Sequence, residues 1–417
     1  MDYHRYFLLF ILIFCSVLGC ETRNKTSFTC PDPLGCVILT PEDSVKIGIL
    51  QALSGKVATL GQEQIRGLEL ALDERNGKIL NRSVEIQVED TGCTAEGGAN
   101  AALKIIADPK HVAIFGTTCS GAAATSAEVM SDAGLTMISG NNSAPFLTSI
   151  AGNKAPNWQE GYFRTAMNEE KSGKAAATFA YEKLGIRKAA TINDGDIYTR
   201  GLTDGFNKSF TELGGQVVLK TSINKGDVQM KPVLTAVANS EAELIFFPLF
   251  QPEGNHILLQ ARSMDSLDNV VLMSDGALID ESFLSAVGDK GVGMYFVGPA
   301  SYKGEKVEEL EKKYQAKYQH APSVFYFISG YDAALILFEA IEKAAQKETD
   351  GTVYIGRSTL RKTMYATKNF QGATGSLTCD EFGDCARPVF NILRFQDESK
   401  GLEGLKSNVQ FTFSPSE

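Results

Sequence analysis

Three features of the sequence predict an α/β fold built as two doubly wound lobes with mainly parallel sheets. From Val45 onward, short apolar runs alternate with segments of helical periodicity, the pattern of strand-helix-strand crossovers. Most of the apolar runs end in polar or small residues, as parallel strands do where they open onto a ligand crevice. At 417 residues the chain exceeds what one ordinary core encloses, and a second alternating series begins after the stretch around Pro156 and Trp158.

The first series opens with a strand at 45–50, a helix at 62–75 with apolar positions Ile65, Leu68, Leu70 and Leu72, and a strand at 84–88. A helix at 95–107 follows, then a strand at 113–116 that runs through Thr117, Thr118 and Cys119 into an alanine-rich helix, then a strand at 135–138. The second series reads as a helix at 171–184, strands at 188–192, 217–221, 244–247 and 270–273, and helices at 199–213 and 228–238. Longer helices are expected at 306–319 and 325–345, and another at 356–365. The end of the chain, 370–378 and 388–393, reads as an extended pair joined at a turn between Cys379 and Cys385. Without a low-complexity linker, the lobes should share several chain crossings.

The turn after the strand at 113–116 organises the rest. Ser120 is expected at the N-cap of the next helix, where backbone N–H groups at Gly121 and Ala122 and the positive end of the helix dipole lie beside its hydroxyl. Two roles fit these residues: the hydroxyl caps its own helix, or the group holds an anion, most simply a carboxylate. Neighbouring strand ends add polar groups, Ser139 to Ser143 in the first lobe and Asp194, Tyr198, Phe250 and Asp275 in the second. Asp275, Tyr198 and Phe250 then face the crevice from the second side as one carboxylate, one phenol and one aromatic ring.

Residues 1–19 read as an export signal. His4 and Arg5 precede an apolar run at 6–18 that is too short for a comfortable membrane span and ends in Val17-Leu18-Gly19-Cys20. That ending resembles a bacterial lipobox, which implies cleavage before Cys20, acylation of its thiol and a periplasmic or cell-surface protein held to a membrane by lipid. Residues 21–29 are polar and should form a flexible tether, with a small disulfide loop completing the segment to residue 43.

Export accounts for the cysteines. Of the eight, Cys15 lies in the leader and Cys20 at its end, which leaves an even six for an oxidising compartment. Cys30 with Cys36 and Cys379 with Cys385 enclose turn-forming residues and each should close a tight loop. The remaining pair, Cys93 with Cys119, would tie the loop before one helix to the central turn. No Cys-x-x-Cys and no histidine at ligand spacing accompanies them, so no metal is expected.

Signatures of catalysis are missing: there is no Gly-x-Ser-x-Gly elbow, no His-Glu-x-x-His and no phosphate loop. Of four histidines, His4 lies in the leader, while His111, His256 and His320 fall at loop or helix-edge positions and are expected on the surface. Neither an enzyme nor a cofactor is expected. The net charge of −10 gives no electrostatic footprint for nucleic acid.

From about Val45 to Phe395 the chain resembles the leucine/isoleucine/valine-binding family, the substrate-binding components of branched-chain amino acid ABC transporters. The resemblance rests on Lys46-Ile47-Gly48-Ile49, the positions of Cys93 and Cys119, Gly116 through Ser120, Met137-Ile138-Ser139 with Ser143-Ala144-Pro145, and Tyr198 with Gly201-Leu202. Met273-Ser274-Asp275-Gly276, Thr374-Gly375 and Gly383-Asp384 complete it. It implies a Venus-flytrap of two lobes on a multi-crossing hinge, with 44–160 and 299–370 in the first lobe and 161–298 and 371–417 in the second. By the same resemblance, Ser120 and the Gly121 amide would take a ligand carboxylate with help from Ser143. The Asn141 carbonyl and Asp275 would receive its ammonium, and Tyr198 and Phe250 would close over its side chain.

The implied partners are a small-molecule ligand, an ABC permease and a membrane through the lipid anchor. Departures bear on the ligand: Leu60 stands where aliphatic-specific members often have an aromatic ring, Asn141 where they have a small residue, and Asp275 is one methylene shorter than their Glu. An amino acid is therefore expected, with amides or aromatic acids as alternatives. A sensor of the same fold is the alternative role, although only residues 396–417 follow the region of resemblance.

Overall fold

The computed structural model describes residues 30–414, apart from Ser301 and Phe325. The expected leader at 1–19, the acylated Cys20 and the tether at 21–29 lie outside the described residues.

The first lobe is built on β1 (Val45–Gln51), β2 (Lys78–Ile79), β3 (Arg82–Asp90), β4 (His111–Gly116), β5 (Met137–Ser139) and β6 (Tyr162–Arg164), in the spatial order β2-β3-β1-β4-β5-β6. β2 pairs antiparallel with β3, and the other pairs run parallel. Ile47, Ile49, Ile114 and Phe115 in the two central strands have no exposed surface. That is why these strands read as apolar runs with little alternation: helices cover both faces of a parallel sheet. The chain leaves β1 towards β3 on one side and returns to β4 on the other, so the winding reverses between β1 and β4, and the crossover helices leave a crevice at the carboxyl ends there.

The second lobe repeats the device with β7 (Lys188–Asn193), β8 (Gln216–Ser222), β9 (Leu244–Phe246), β10 (Val271–Asp275), β11 (Tyr295–Pro299), β12 (Phe390–Arg394) and β13 (Val409–Phe413). Their order is β8-β7-β9-β10-β11-β12-β13, parallel through β11 and antiparallel beyond it. Its winding reverses between β7 and β9. After β11 the chain returns to the first lobe in helices Glu305–Tyr318 and Tyr326–Ala344, where Tyr314, Phe327 and Phe338 share a core with Ile47, Leu68 and Phe115.

Several local expectations need correction. The segments at 370–378 and 388–393 do not pair with each other. Phe370–Gln371 pairs with Ser376–Leu377 in a short hairpin, whereas β12 lies between β11 and β13 in the second sheet. Phe390, Ile392 and Leu393 are buried there, and a strand that apolar is satisfied only inside a large sheet. Ala373, Leu377, Cys379 and Cys385 belong to the first lobe's core, so the chain re-enters the second sheet only at Phe390. Cys36–Leu39, expected within the tether, is a strand paired with Val353–Gly356, and its Val37 and Leu39 are buried. His111, expected on the surface, is 2% exposed, because it opens a central strand. His320 is exposed and His256 partly buried.

All three cysteine pairs are bonded: Cys30–Cys36, Cys93–Cys119 and Cys379–Cys385. Among the described residues, no helix is long and apolar enough to cross a membrane and no cluster of three or more His, Cys, Asp or Glu could hold a metal ion. The Cys93–Cys119 bridge spans 26 residues. Replacing both cysteines by serine should therefore lower the unfolding free energy by about 3 kcal/mol on the chain-entropy account. Urea titration of the two forms measures this, and equal stability would show that the bridge does not restrain the unfolded chain.

Candidate ligand-binding cleft

The crevice of the first lobe is shaped by two turns that hydrogen-bond to each other. After β4, Thr118 donates its hydroxyl to Gln51 Oε1 (2.6 Å) and accepts from the Ala52 amide (2.9 Å), which pins the turn to the end of β1. After β5, the Ser139 hydroxyl donates to the Thr117 carbonyl (2.9 Å) and accepts from the amides of Asn141 and Asn142 (3.0 Å each). Asn142 Oδ1 in turn accepts from the Thr117 amide at 3.0 Å. Thr117, Ser139 and Asn142 have no exposed surface, so these polar groups must be satisfied within the protein, and the two turns satisfy them largely through one another.

Ser120 was expected at the N-cap; Cys119 occupies that position and Ser120 is the first residue of helix Ser120–Asp132. The reason is local. The Cys119 side chain is held in its disulfide and its carbonyl accepts from Ala123, so the helix starts one residue earlier than a serine cap would set it. The Ser120 hydroxyl, freed from capping, accepts the Ala144 amide at 3.2 Å and keeps its proton for another acceptor. The amides of Ser120, Gly121 and Ala122 precede the first intrahelical bond and carry the positive end of the dipole.

The second lobe presents Tyr198, Phe250 and Asp275. Asp196 caps helix Ile197–Glu212 through the Tyr198 amide (2.9 Å), which aims the phenol back at the end of β10. There the Tyr198 hydroxyl donates to Asp275 Oδ2. The Tyr198 and Phe250 rings pack with centroids 5.1 Å apart. Asp275 also accepts from the Ser274 hydroxyl (3.3 Å) and the Ala277 amide (3.4 Å).

These pieces meet around one cavity of about 20 Å³, lined by Ser120, Asn141, Ser143, Tyr198 and Phe250 together with Leu60, Thr118, Ala277 and Tyr326. That volume holds little more than a water molecule, so a ligand of any size enters only when the lobes part. Asp275 stands behind Tyr198. Gly121 lies at the seam between the lobes, where a Cβ would come within 2.7 Å of Asp196 Oδ2.

Sequence reasoning missed Glu169 and Tyr326. Glu169 follows β6 in the segment that crosses to the second lobe, is 2% exposed, and has one carboxylate oxygen, Oε2, buried without a protein partner. Its polar neighbours Asn168, Glu170 and Lys171 make it look like one more surface charge. Tyr326 is concealed by the apolar periodicity of its own helix.

Burial dominates the electrostatics. It pushes the Asp275 carboxyl up to about 7, against the opposing hydrogen bond from Tyr198. It pushes Glu169 up to about 8; the charge of Asp275 adds to the rise, and Ser143, Arg164 and Tyr198 oppose it. Both folded values lie above the unfolded ones, so the stability they contribute is complete below about pH 4 and is lost as the pH rises through about 7 to 8. The ligand-free protein should accordingly melt at progressively lower temperature between about pH 4 and 8, and Asp275→Asn with Glu169→Gln should flatten the slope. An unchanged slope in the double variant would assign the effect to other groups.

A model of the periplasmic binding protein family matches residues 44–390. The chain belongs to that family. Among similar curated proteins are Leu/Ile/Val-binding protein homolog 3 of Brucella melitensis, 24% identical over 86% of this chain and 94% of its own length, and the leucine-, isoleucine-, valine-, threonine- and alanine-binding protein of Pseudomonas aeruginosa, 24% identical over 87% and 92%. Similar solved structures include the leucine-binding protein LivK of Thermotoga maritima, with a TM-score of 0.76, 24% identity and coverage of 89% of this chain and 99% of that one. Another is an ABC transporter solute-binding protein of R. palustris in complex with benzoate, with a TM-score of 0.73, 22% identity and coverage of 89% and 97%. This periplasmic binding protein thus shares its two-lobed fold with chains whose recorded ligands differ in charge.

Proposed function

We propose that this protein captures an α-amino acid between its two lobes and delivers it to the permease of an ABC transporter. The observation that carries the reading is the polarity around one cavity: Ser120 at the start of its helix lines it, and two buried carboxylates stand just behind its wall, Asp275 bonded to the lining Tyr198 and Glu169 joined through its amide to the Ser143 carbonyl. A zwitterion is complementary to both ends. Its carboxylate meets Ser120 and the amides of Ser120 and Gly121, with Ser143 alongside. Its ammonium meets Asp275, Glu169 and the Asn141 carbonyl, and the rings of Tyr198, Phe250 and Tyr326 enclose its side chain.

An aromatic acid such as the benzoate of the R. palustris protein fits less well, because it satisfies the helix end and leaves two buried carboxylates without a cation. The names of the Brucella and Pseudomonas relatives also favour an amino acid. Capture is a hinge motion. The first lobe holds the ligand carboxylate, Asp275 gains its ammonium partner only on closure, and ligand affinity is therefore greater for the closed state. The chain crossings that would serve as hinge are 165–169, the connection from β11 to the helix Glu305–Tyr318, and 386–389, between elements packed in different lobes. Export through the leader and acylation of Cys20 would hold the protein at the membrane beside its permease.

Calorimetry with single amino acids tests the reading. Asp275→Asn should weaken binding by about 2 to 5 kcal/mol, at least thirtyfold, because the ligand ammonium loses a buried partner. Affinity should also rise between about pH 6 and 8 as the carboxylates ionise. If no amino acid binds the wild type, or Asp275→Asn binds as well as the wild type, the zwitterion assignment is wrong. Cys20→Ser should move the protein from the membrane fraction to the soluble one, and membrane retention by the variant would exclude this anchor.

A further inference from the structure

We propose that Asp384, presented by the Cys379–Cys385 loop, positions the ligand-binding turn at 141–144 through the buried Arg164, so that this loop sets ligand affinity without touching ligand. The proposal rests on the reading of the cleft given above.

The loop meets the edge of β6 in a single parallel bridge between Arg164 and Asp384. The Arg164 amide donates to the Gly383 carbonyl (2.9 Å) and the Cys385 amide to the Arg164 carbonyl (3.0 Å). Gly383 sits at φ +95°, and a Cβ there would stand 2.1 Å from the Tyr162 carbonyl oxygen, so only glycine allows this approach. Next to it, the Asp384 carboxylate accepts from Arg164 Nε through Oδ1, and from the Thr148 hydroxyl and Asn168 Nδ2 (3.0 Å each) through Oδ2.

Arg164 has no exposed surface, and its remaining donors are directed at the site. Nη1 donates to the carbonyls of Ala144 (2.8 Å) and Asn142 (3.2 Å), and Nη2 to the Thr148 hydroxyl. Asn142 lies between the cavity-lining Asn141 and Ser143, and the Ala144 amide donates to Ser120 Oγ. Asn168, held by the same Asp384, precedes Glu169. One carboxylate outside the cavity therefore holds both the turn that receives a ligand and the hinge segment that carries Glu169. A buried guanidinium that loses its carboxylate must move or recruit another acceptor, and either change shifts the carbonyls at 142 and 144. The disulfide matters because it keeps Asp384 at the edge of β6.

Two variants test the positioning role: Asp384→Asn, and Cys379→Ser with Cys385→Ser, which removes the cross-link and keeps Asp384 should the first fail to fold. Hydrogen exchange on the ligand-free protein should speed up by about tenfold or more over 141–149 while β4 and β7 keep wild-type protection, because only the held segment is released. A merely structural contribution would raise exchange throughout the first lobe. Trp158, the one tryptophan in the chain, donates Nε1 to the Phe382 carbonyl in the loop at 3.1 Å, so its emission should shift in both variants. Affinity for the proteinogenic L-amino acids, each applied singly, should fall about tenfold or more, within the range of ordinary coupling between sites. Wild-type exchange over 141–149 in a folded variant, or wild-type affinity in both, overturns the proposal. A wild type that binds no amino acid overturns the cleft reading instead, and the exchange experiment still decides the positioning role.

Discussion

Burying two carboxylates in one cleft is the constraint around which the rest of the site is arranged. Asp275 is wholly buried and Glu169 nearly so, and each raises the cost of ionising the other. The cation whose charge reaches Glu169 is Arg164, but its donors are turned to Asp384, Asn142, Ala144 and Thr148. Tyr198 supplies a hydrogen bond to Asp275, which lowers the cost without removing it. A closed cleft without a cation therefore keeps protons on these groups at neutral pH or carries uncompensated charge. The many neutral hydrogen bonds between the turns at 117–120 and 139–144 keep the opposite wall rigid, so the electrostatic cost is not relieved by collapse of the backbone.

Topology supplies the meeting place. Each sheet reverses its winding once beside its first strand, and the crevices left at β1/β4 and β7/β9 face one another. A helix start, a hydroxyl and a cross-bonded turn come from one crevice; an aromatic pair and a carboxylate come from the other. Gly121 at the seam lets the lobes approach closely enough for Asp196 to stand over the first turn of the helix.

Much of the fold was legible because parallel strands buried on both faces leave a periodic trace. The alternation from 45 to 273, the turn leading to Ser120 and the two short cysteine loops have local signatures, and Cys93 with Cys119 follows as the remaining pair. The cap position of Ser120 was off by one residue because a disulfide fixed Cys119, a constraint that pattern alone cannot weigh. β12 was legible as extended, but its partners lie a hundred residues away in sequence on one side, at β11, and were not. Among residues at the cavity, Ser120, Asn141, Ser143, Tyr198 and Phe250 sit at strand ends or turns, where position implies access. Glu169 and Tyr326 do not: one is a charge in a charged run, the other an aromatic in an apolar helix, and only the tertiary fold distinguishes them from solvent-facing and core residues. The link from Arg164 to Asp384 joins residues too distant in sequence for any local pattern to connect.

Glu169 changes how ligand charge and hinge motion are related. Asp275 belongs to the second lobe alone, so its partner is acquired when the lobes close. Glu169 lies on the crossing segment itself, between β6 and the helix Glu170–Thr178, and any change in its ionisation acts where the hinge turns. Were the lobes to part, water would reach both carboxylates and the cost of ionising them would fall. Closure removes that water, and the free energy of closing then depends on whether an ammonium takes its place. On this account the second carboxylate does more than add affinity for a cation. It penalises the empty closed state, which sharpens the difference between liganded and unliganded protein.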